Sequence, residues 1–219
     1  LVKSILDKEQ IEIESYLSQS KGDIEKFITN EDLSEFDGIC VIGGDGTIHE
    51  AIEGLMQSEK SKYLPLGIIP AGSGNAFAED LGLRDPLDGL ENIIIGDISR
   101  IDVMRIKTRH NINYAVNIIG WGMASNVNIL AEKLRWLGNI RYSIASILSI
   151  LKIKLQKVNI IIENQVFDGK IAFFIALNNI HTGKGMKMAP KAKLNDGLID
   201  IILLKKASRL RILKIFLQL

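Results

Sequence analysis

Twice before residue 85, an apolar run ends in a glycine-rich turn and gives way to a helix-like pattern. The first unit runs through residues 37–42 into Gly43-Gly44-Asp45-Gly46-Thr47, then a helix over 47–57. The second runs through 64–69 into Pro70-Ala71-Gly72-Ser73-Gly74-Asn75, then a helix through Asp80. Strand, turn and helix repeated in this order predict a parallel, doubly wound sheet. In such a sheet both turns lie at the carboxyl-end edge of the strands, as neighbours. Ahead of them, residues 10–18 alternate like a half-buried strand. Residues 23–28 predict a short helix with Asp23 as its N-cap.

Glycines between a strand and a helix let the backbone approach a ligand closely. The helix N-terminus then offers free N–H groups to a phosphate. An acid between glycines is a poor phosphate cradle, because it repels the anion. Asp45 therefore reads either as the N-cap of a tight turn or as a base or metal-associated carboxylate. The second loop favours a nucleotide site made by both turns together. Within it, Ser73 and Asn75 are donors to phosphate, or Asn75 caps the following helix.

The texture changes near residue 100. Residues 101–107 and 112–119 predict adjacent strands, and 126–153 a long amphipathic stretch. Strands follow at 158–163, 166–177 and 198–203, with a turn near Glu163-Asn164 and a last helix from Ser208. Strands with few helices between them predict an antiparallel sheet or sandwich. The chain of 219 residues can bury a sizeable core. Its net charge of +1 gives no reason to expect a nucleic-acid partner. The one cysteine, Cys40, excludes an intrachain disulfide and points to a reducing, intracellular setting. Its apolar neighbours predict a buried thiol. No stretch reaches the ~20 apolar residues of a transmembrane helix. The pattern at both ends, Leu1 to Leu6 and the run up to Leu219, reads as cut from a longer protein.

The two loops, with His49-Glu50 and with Ala76-Phe77-Ala78, resemble the diacylglycerol kinase catalytic superfamily. The Gly-Ser-Gly-Asn form is most similar to the sphingosine and ceramide kinases. The resemblance continues through Gly120-Trp121-Gly122, Glu132 to Gly138 with Arg141-Tyr142, Gly185 to Pro190 and Asn195 to Asp200. It implies an α/β protein, a Rossmann-like parallel sheet followed by an antiparallel β-sandwich. Residues 1–98 would bind ATP and 99–219 the lipid. It implies an ATP- and Mg²⁺-dependent kinase acting on a sphingoid-type lipid at a membrane surface. Diacylglycerol kinase is the alternative, with NAD kinase or a non-catalytic relative as readings of another class. Such a kinase would be cytoplasmic and peripheral at membranes.

By the same resemblance Asp45 matches the general base. Gly43, Gly44, Gly46, Thr47, Gly72, Ser73, Gly74 and Asn75 match the phosphate-binding turns. Ser18, Arg135 and Arg141 match residues beside the nucleotide, and Asn128 and Trp121 match the lipid site. His49 is expected to pack or cap, and Glu50 to orient the loop. Lys184 and Lys187 are either solvated or in touch with phosphate. Residues 142–153 are either a core helix or the lining of an acyl-chain entrance, with Lys152, Lys154 and Lys157 toward anionic headgroups. Two departures matter. Asn126 and Asn128 stand where sphingosine kinases carry acids, and an amide cannot pair with an ammonium head as a carboxylate does. The family's opening nucleotide loop and closing Asp-Gly-Glu strand are not in the sequence, so these 219 residues are expected to be inactive alone.

Overall fold

The computed structural model describes residues 2–182, 186–205 and 208–216. Two strands, β1 (Ile39–Gly43) and β2 (Leu66–Pro70), pair in parallel with Gly43 opposite Pro70. Each is followed by a helix: α3 (Asp45–Gln57) after β1 and α4 (Ala76–Asp80) after β2. α1 (Val2–Lys8), α2 (Asp23–Asn30) and α5 (Pro86–Ile95) complete this part. Ile28, Val41, Ile48, Ile52, Ile68 and Phe77 form its main core. Two glycines set how closely the layers approach. A Cβ on Gly54 would stand 2.9 Å from the Glu25 carbonyl, so α2 and α3 approach backbone to backbone. A Cβ on Gly89 would stand 2.4 Å from the Ile68 carbonyl, which lets α5 lie directly on β2.

The second part is antiparallel. β3 (Met104–Lys107) and β4 (Ile112–Ala115) form a hairpin. β5 (Ile118–Gly122), β8 (Phe173–Leu177) and β9 (Asp200–Leu204) form a three-stranded sheet in the order β5-β8-β9. β6 (Gln156–Ile162) and β7 (Gln165–Ile171) form a second hairpin around a Glu163-Asn164 turn, with Glu163 at φ 51°. α6 (Met123–Lys133), a 3-10 turn (Arg135–Ile140) and α7 (Arg141–Leu151) bridge β5 and β6. α8 (Arg209–Phe216) is the last described element and packs on α7. Parallel sheet first and antiparallel sheets second is the expected fold class.

Several local expectations are corrected. Residues 10–18 join no ladder: Ile11 and Ile13 are covered on one side by Leu6, Ile69 and Leu90, which produces alternation without a partner strand. The helix expected at 47 begins at Asp45, with Gly44 as its cap residue. Asp23 is the first residue of α2, not its cap; the cap is Gly22 in the left-handed region. The stretch 126–153 breaks at Gly138, whose φ of 60° no regular helix holds. The run 166–177 is two strands in different sheets. Ala172 at the switch donates its N–H to the Leu204 carbonyl at 2.7 Å and accepts from Met123 N–H at 3.0 Å. Cys40 is exposed: it lies on the face of β1 opposite Val41, and only the Val41 side is covered.

Candidate active site at the paired glycine loops

The two turns after β1 and β2 meet backbone to backbone. Ala71 N–H donates to the Gly43 carbonyl at 2.8 Å, extending the parallel pairing into the loops. A Cβ on Gly72 would stand 2.4 Å from the Gly44 Cα, and one on Gly44 would stand 2.9 Å from the Gly72 Cα. No side chain fits at either position. Gly43 is constrained differently, since its Cβ would meet the Thr47 side chain at 2.6 Å. Gly46 faces open space. Its place in the first turn of α3 leaves it accessible to a ligand.

Asp45 joins the loops. One carboxylate oxygen accepts the Ala76 N–H and the other accepts the Phe77 N–H, both at 3.1 Å. These are the first amides of α4, which a helix leaves without internal partners. Asp45 thus caps a helix, but the other loop's helix. A carboxylate there is favoured by the positive end of the helix dipole. A Cβ on Gly74 would come within 3.2 Å of the same carboxylate. Asn75 holds the N-cap position of α4, but its side chain makes no cap bond. Its Oδ1 accepts the Gly72 N–H and its Nδ2 donates to the Gly72 carbonyl, both at 2.9 Å. That reciprocal pair closes the second loop and uses a donor and an acceptor together, as an amide side chain allows. Its own φ is 49°, in the left-handed region asparagine tolerates. Ser73 at the loop tip and Gly46 are exposed, and Gly74 is half-buried.

The other expected residues are elsewhere. Ser18 is exposed and makes no hydrogen bond among the described residues. His49 is exposed, so it neither packs nor caps, because it sits on the outward side of α3. The buried acid on α3 is Glu53, while Glu50 is half-buried. Glu53 is 2% exposed and accepts Tyr114 N–H at 2.7 Å, Gln57 Nε2 at 2.7 Å and Asn113 Nδ2 at 3.3 Å. Arg141 opens α7 with its guanidinium 5.0 Å from the ring centre of Tyr142. The side chain of Arg135, with Lys184 and Gly185, lies outside the described residues. Trp121 and Asn128 are exposed on β5 and α6. Asn126, rather than Asn128, lines a cavity of about 390 Å³ between α6 and α7, with Met123, Leu130, Leu148 and Ser149. Asp196-Gly197 is a turn: Asp196 accepts Leu198 N–H at 3.0 Å, and Asp102 accepts Gly197 N–H at 2.7 Å.

A parallel sheet whose adjacent βα turns are glycine-rich and in contact defines a nucleotide-binding type of α/β protein. Two family models match the chain. The first is the diacylglycerol kinase catalytic domain, over residues 1–106. The second is the YegS C-terminal NAD kinase beta sandwich-like domain, over residues 117–219. The chain belongs to the diacylglycerol kinase catalytic superfamily. It is 31% identical over 201 residues to a diacylglycerol kinase of Bacillus subtilis, covering 90% of this chain and 64% of that enzyme. Sphingosine kinase 1 of Arabidopsis thaliana is 26% identical over 266 residues, covering all of this chain and 55% of that protein. A crystal structure of a diacylglycerol kinase from Bacillus anthracis superposes with a TM-score of 0.71 at 26% identity, over 92% of this chain and 64% of that one. The chain thus spans less than two thirds of these relatives.

Proposed function

We propose that the parent of this chain is an ATP-dependent lipid kinase that phosphorylates a primary hydroxyl on a neutral-headed lipid. The carrying observation is the pair of touching glycine loops with the Asp45 carboxylate between them. Each Asp45 oxygen gives one lone pair to an α4 amide and keeps another. Asp45 takes the proton from the lipid hydroxyl. The oxygen's electron pair forms a bond to the γ-phosphorus, and the β,γ-bridging bond breaks to release ADP. Gly44, Gly46, Gly72, Ser73 and Gly74 orient the phosphates, because the loops are already locked before the nucleotide arrives. Arg141, and Arg135 by resemblance, would close over the nucleotide with their planar donor forks.

Among the described residues no three acids, histidines or cysteines gather as a metal cluster. Mg²⁺ arriving with ATP would be held by the nucleotide's own phosphates, with Asp45 the loop carboxylate available to it. The ion neutralises phosphate charge when bound.

Diacylglycerol is the acceptor favoured first. Amides at Asn126 and Asn128 suit an uncharged head, and relatives from several bacteria carry that name. A sphingoid lipid, ceramide above all, is the second reading, supported by Glu132 to Arg141 and by the Arabidopsis sphingosine kinases. No described helix is long and apolar enough to cross a membrane. Trp136, Ile140, Tyr142 and Leu151 are nevertheless exposed, with Lys152, Lys154 and Lys157 nearby. They support peripheral contact with an anionic bilayer on its cytoplasmic side.

Radiolabelled ATP and the full-length parent, offered diacylglycerol, ceramide, sphingosine and NAD in turn, test the reading. Label in a lipid is expected. Transfer to NAD alone would overturn it.

A further inference from the structure

α4 is gripped at both ends. Its first amides bind Asp45, and its last residue, Asp80, binds the antiparallel part. Asp80 Oδ2 accepts the His181 N–H at 3.0 Å, and Asp80 Oδ1 is hydrogen-bonded to His181 Nδ1. The Asp80 side chain is 3% exposed and that of His181 12%. His181 lies four residues past the end of β8, and its own carbonyl accepts Asn179 Nδ2 at 2.8 Å. His181 Nε2 stands 3.9 Å from Glu79 Oε1. α3 repeats the arrangement: Asp45 is at its start, and the buried Glu53 takes Tyr114 N–H from β4. Each helix that leaves a glycine loop therefore carries one buried acid bonded to backbone of the lipid-side sheets.

Apolar packing would hold these surfaces together without the desolvation that buried carboxylates incur. It would not fix their register. Bonds from a carboxylate to a backbone amide are directional and permit one alignment. α4 spans five residues with Ala76, Phe77 and Ala78 buried, so it moves as one piece. At 1.5 Å per residue, only about 6 Å of helix separates the amides on Asp45 from Asp80. We propose that Asp80 and His181 are positioning residues. They hold the lipid-side sheets at the alignment in which the acceptor hydroxyl reaches Asp45, acting through α4. This rests on the kinase reading above, but the structural link can be judged separately.

The test uses the full-length parent with His181→Leu and His181→Asn. Asparagine keeps an N–H near the position of Nδ1; leucine keeps none. For His181→Leu, kcat for lipid should fall by about tenfold or more, since small misplacements in a transfer site are costly. Affinity for a fluorescent ATP analogue should fall far less than kcat, because the contact between the loops at Gly44 and Gly72 does not run through His181. Amide hydrogen exchange at Ala76 and Phe77 should accelerate, as the Asp45 bonds loosen with the helix. His181→Asn should restore most of kcat and of the protection.

Wild-type kcat in His181→Leu would overturn the proposal. So would loss of nucleotide affinity in step with thermal stability, the mark of a merely structural role. Should the wild type phosphorylate no lipid, the kinase reading fails, and exchange at Ala76 and Phe77 still decides the link. Unchanged exchange there sinks it. If His181→Leu does not fold, His181→Asn with Asp80→Asn carries the same readouts, since losing an acceptor at Asp80 must also speed exchange at Phe77.

Discussion

The glycine loops and the arm made of α6, the 3-10 turn and α7 carry the most distinctive residues of the sequence, and they are built in opposite ways. In the loops nearly every marked residue is already committed. Gly44 and Gly72 touch, Asn75 closes its own turn, and Asp45 binds the next helix. Behind them Ile48, Phe77 and Ala78 are almost wholly buried. In the arm, Trp136 is 79% exposed and Asn128 and Tyr142 are exposed too. Arg141 rests on its neighbour's ring. On the proposed kinase reading, the contrast follows from the two ligands. Phosphate is compact and charged, and donors fixed in advance bind it without reorganising. A lipid in a bilayer is reached across an apolar surface, which must stay exposed to meet it.

The contrast is broken most severely at Asp45. Asp45→Asn keeps one carbonyl acceptor but turns an NH₂ toward one of the two α4 amides. As a cap alone, that change costs about 1–2 kcal/mol, and turnover would fall no further than stability and binding do. With Asp45 as base, kcat falls by about 10²–10⁴ while nucleotide affinity changes far less. Parallel measurement of melting temperature, nucleotide affinity and kcat separates the roles. Next in size is Gly72→Ala. Its methyl would press on the Gly44 backbone, which cannot yield as a flexible side chain would. A loss of about 1–3 kcal/mol is expected, with weakened nucleotide binding. Gly46→Ala is the control: its methyl meets open space, so stability should hold or rise by a few tenths of a kcal/mol. Equal melting losses in both variants would mean that the loops do not touch in solution.

What the sequence revealed of this region was its local part. An apolar run, a glycine cluster and a helical stripe lie within a few residues of one another, so each βα unit is legible. The contact between the two loops is not, because nothing in either turn records that the other is 2.4 Å from it. The acids were missed for the same reason. Glu53 finds Tyr114 at a separation of 61 residues, and Asp80 finds His181 at 101. Neither acid stands out from its helix, since Glu50 and Glu79 lie close by in the same sequence pattern. The misread strand at 10–18 and the misread Cys40 share one cause: pattern reports which side chains are covered, not what covers them. Ile11 and Ile13 are covered by α1 and α5 rather than by a ladder. Cys40 lies in an apolar run covered on one side only.

The arm should give smaller effects. Arg141→Ala removes a side chain that rests on an exposed ring, so the melting temperature should barely move. Nucleotide affinity should fall by a few-fold to about tenfold if the arm closes over phosphate, as a charge-assisted contact predicts. No change in affinity would leave Arg141 a surface residue and confine the nucleotide site to the loops.

The smallest expected effect discriminates most finely. Asn126 and Asn128 are both exposed on α6, but only Asn126 borders the cavity beside α7. A carboxylate at the cavity edge would meet an amine-bearing headgroup seated there, and the lipid itself would displace water from the pair, which strengthens it. Asn126→Asp should therefore shift acceptor preference toward sphingosine over diacylglycerol by about two- to fivefold, on the scale of a partly screened ion pair. Asn128→Asp should shift it less, because an exposed carboxylate is screened by salt and water. Competition assays with both lipids in one vesicle read the ratio directly. A larger shift from Asn128→Asp would show that the arm folds over when lipid binds and brings Asn128 inward. The arm would then differ from the loops not in having no preformed site, but in forming it only around its ligand.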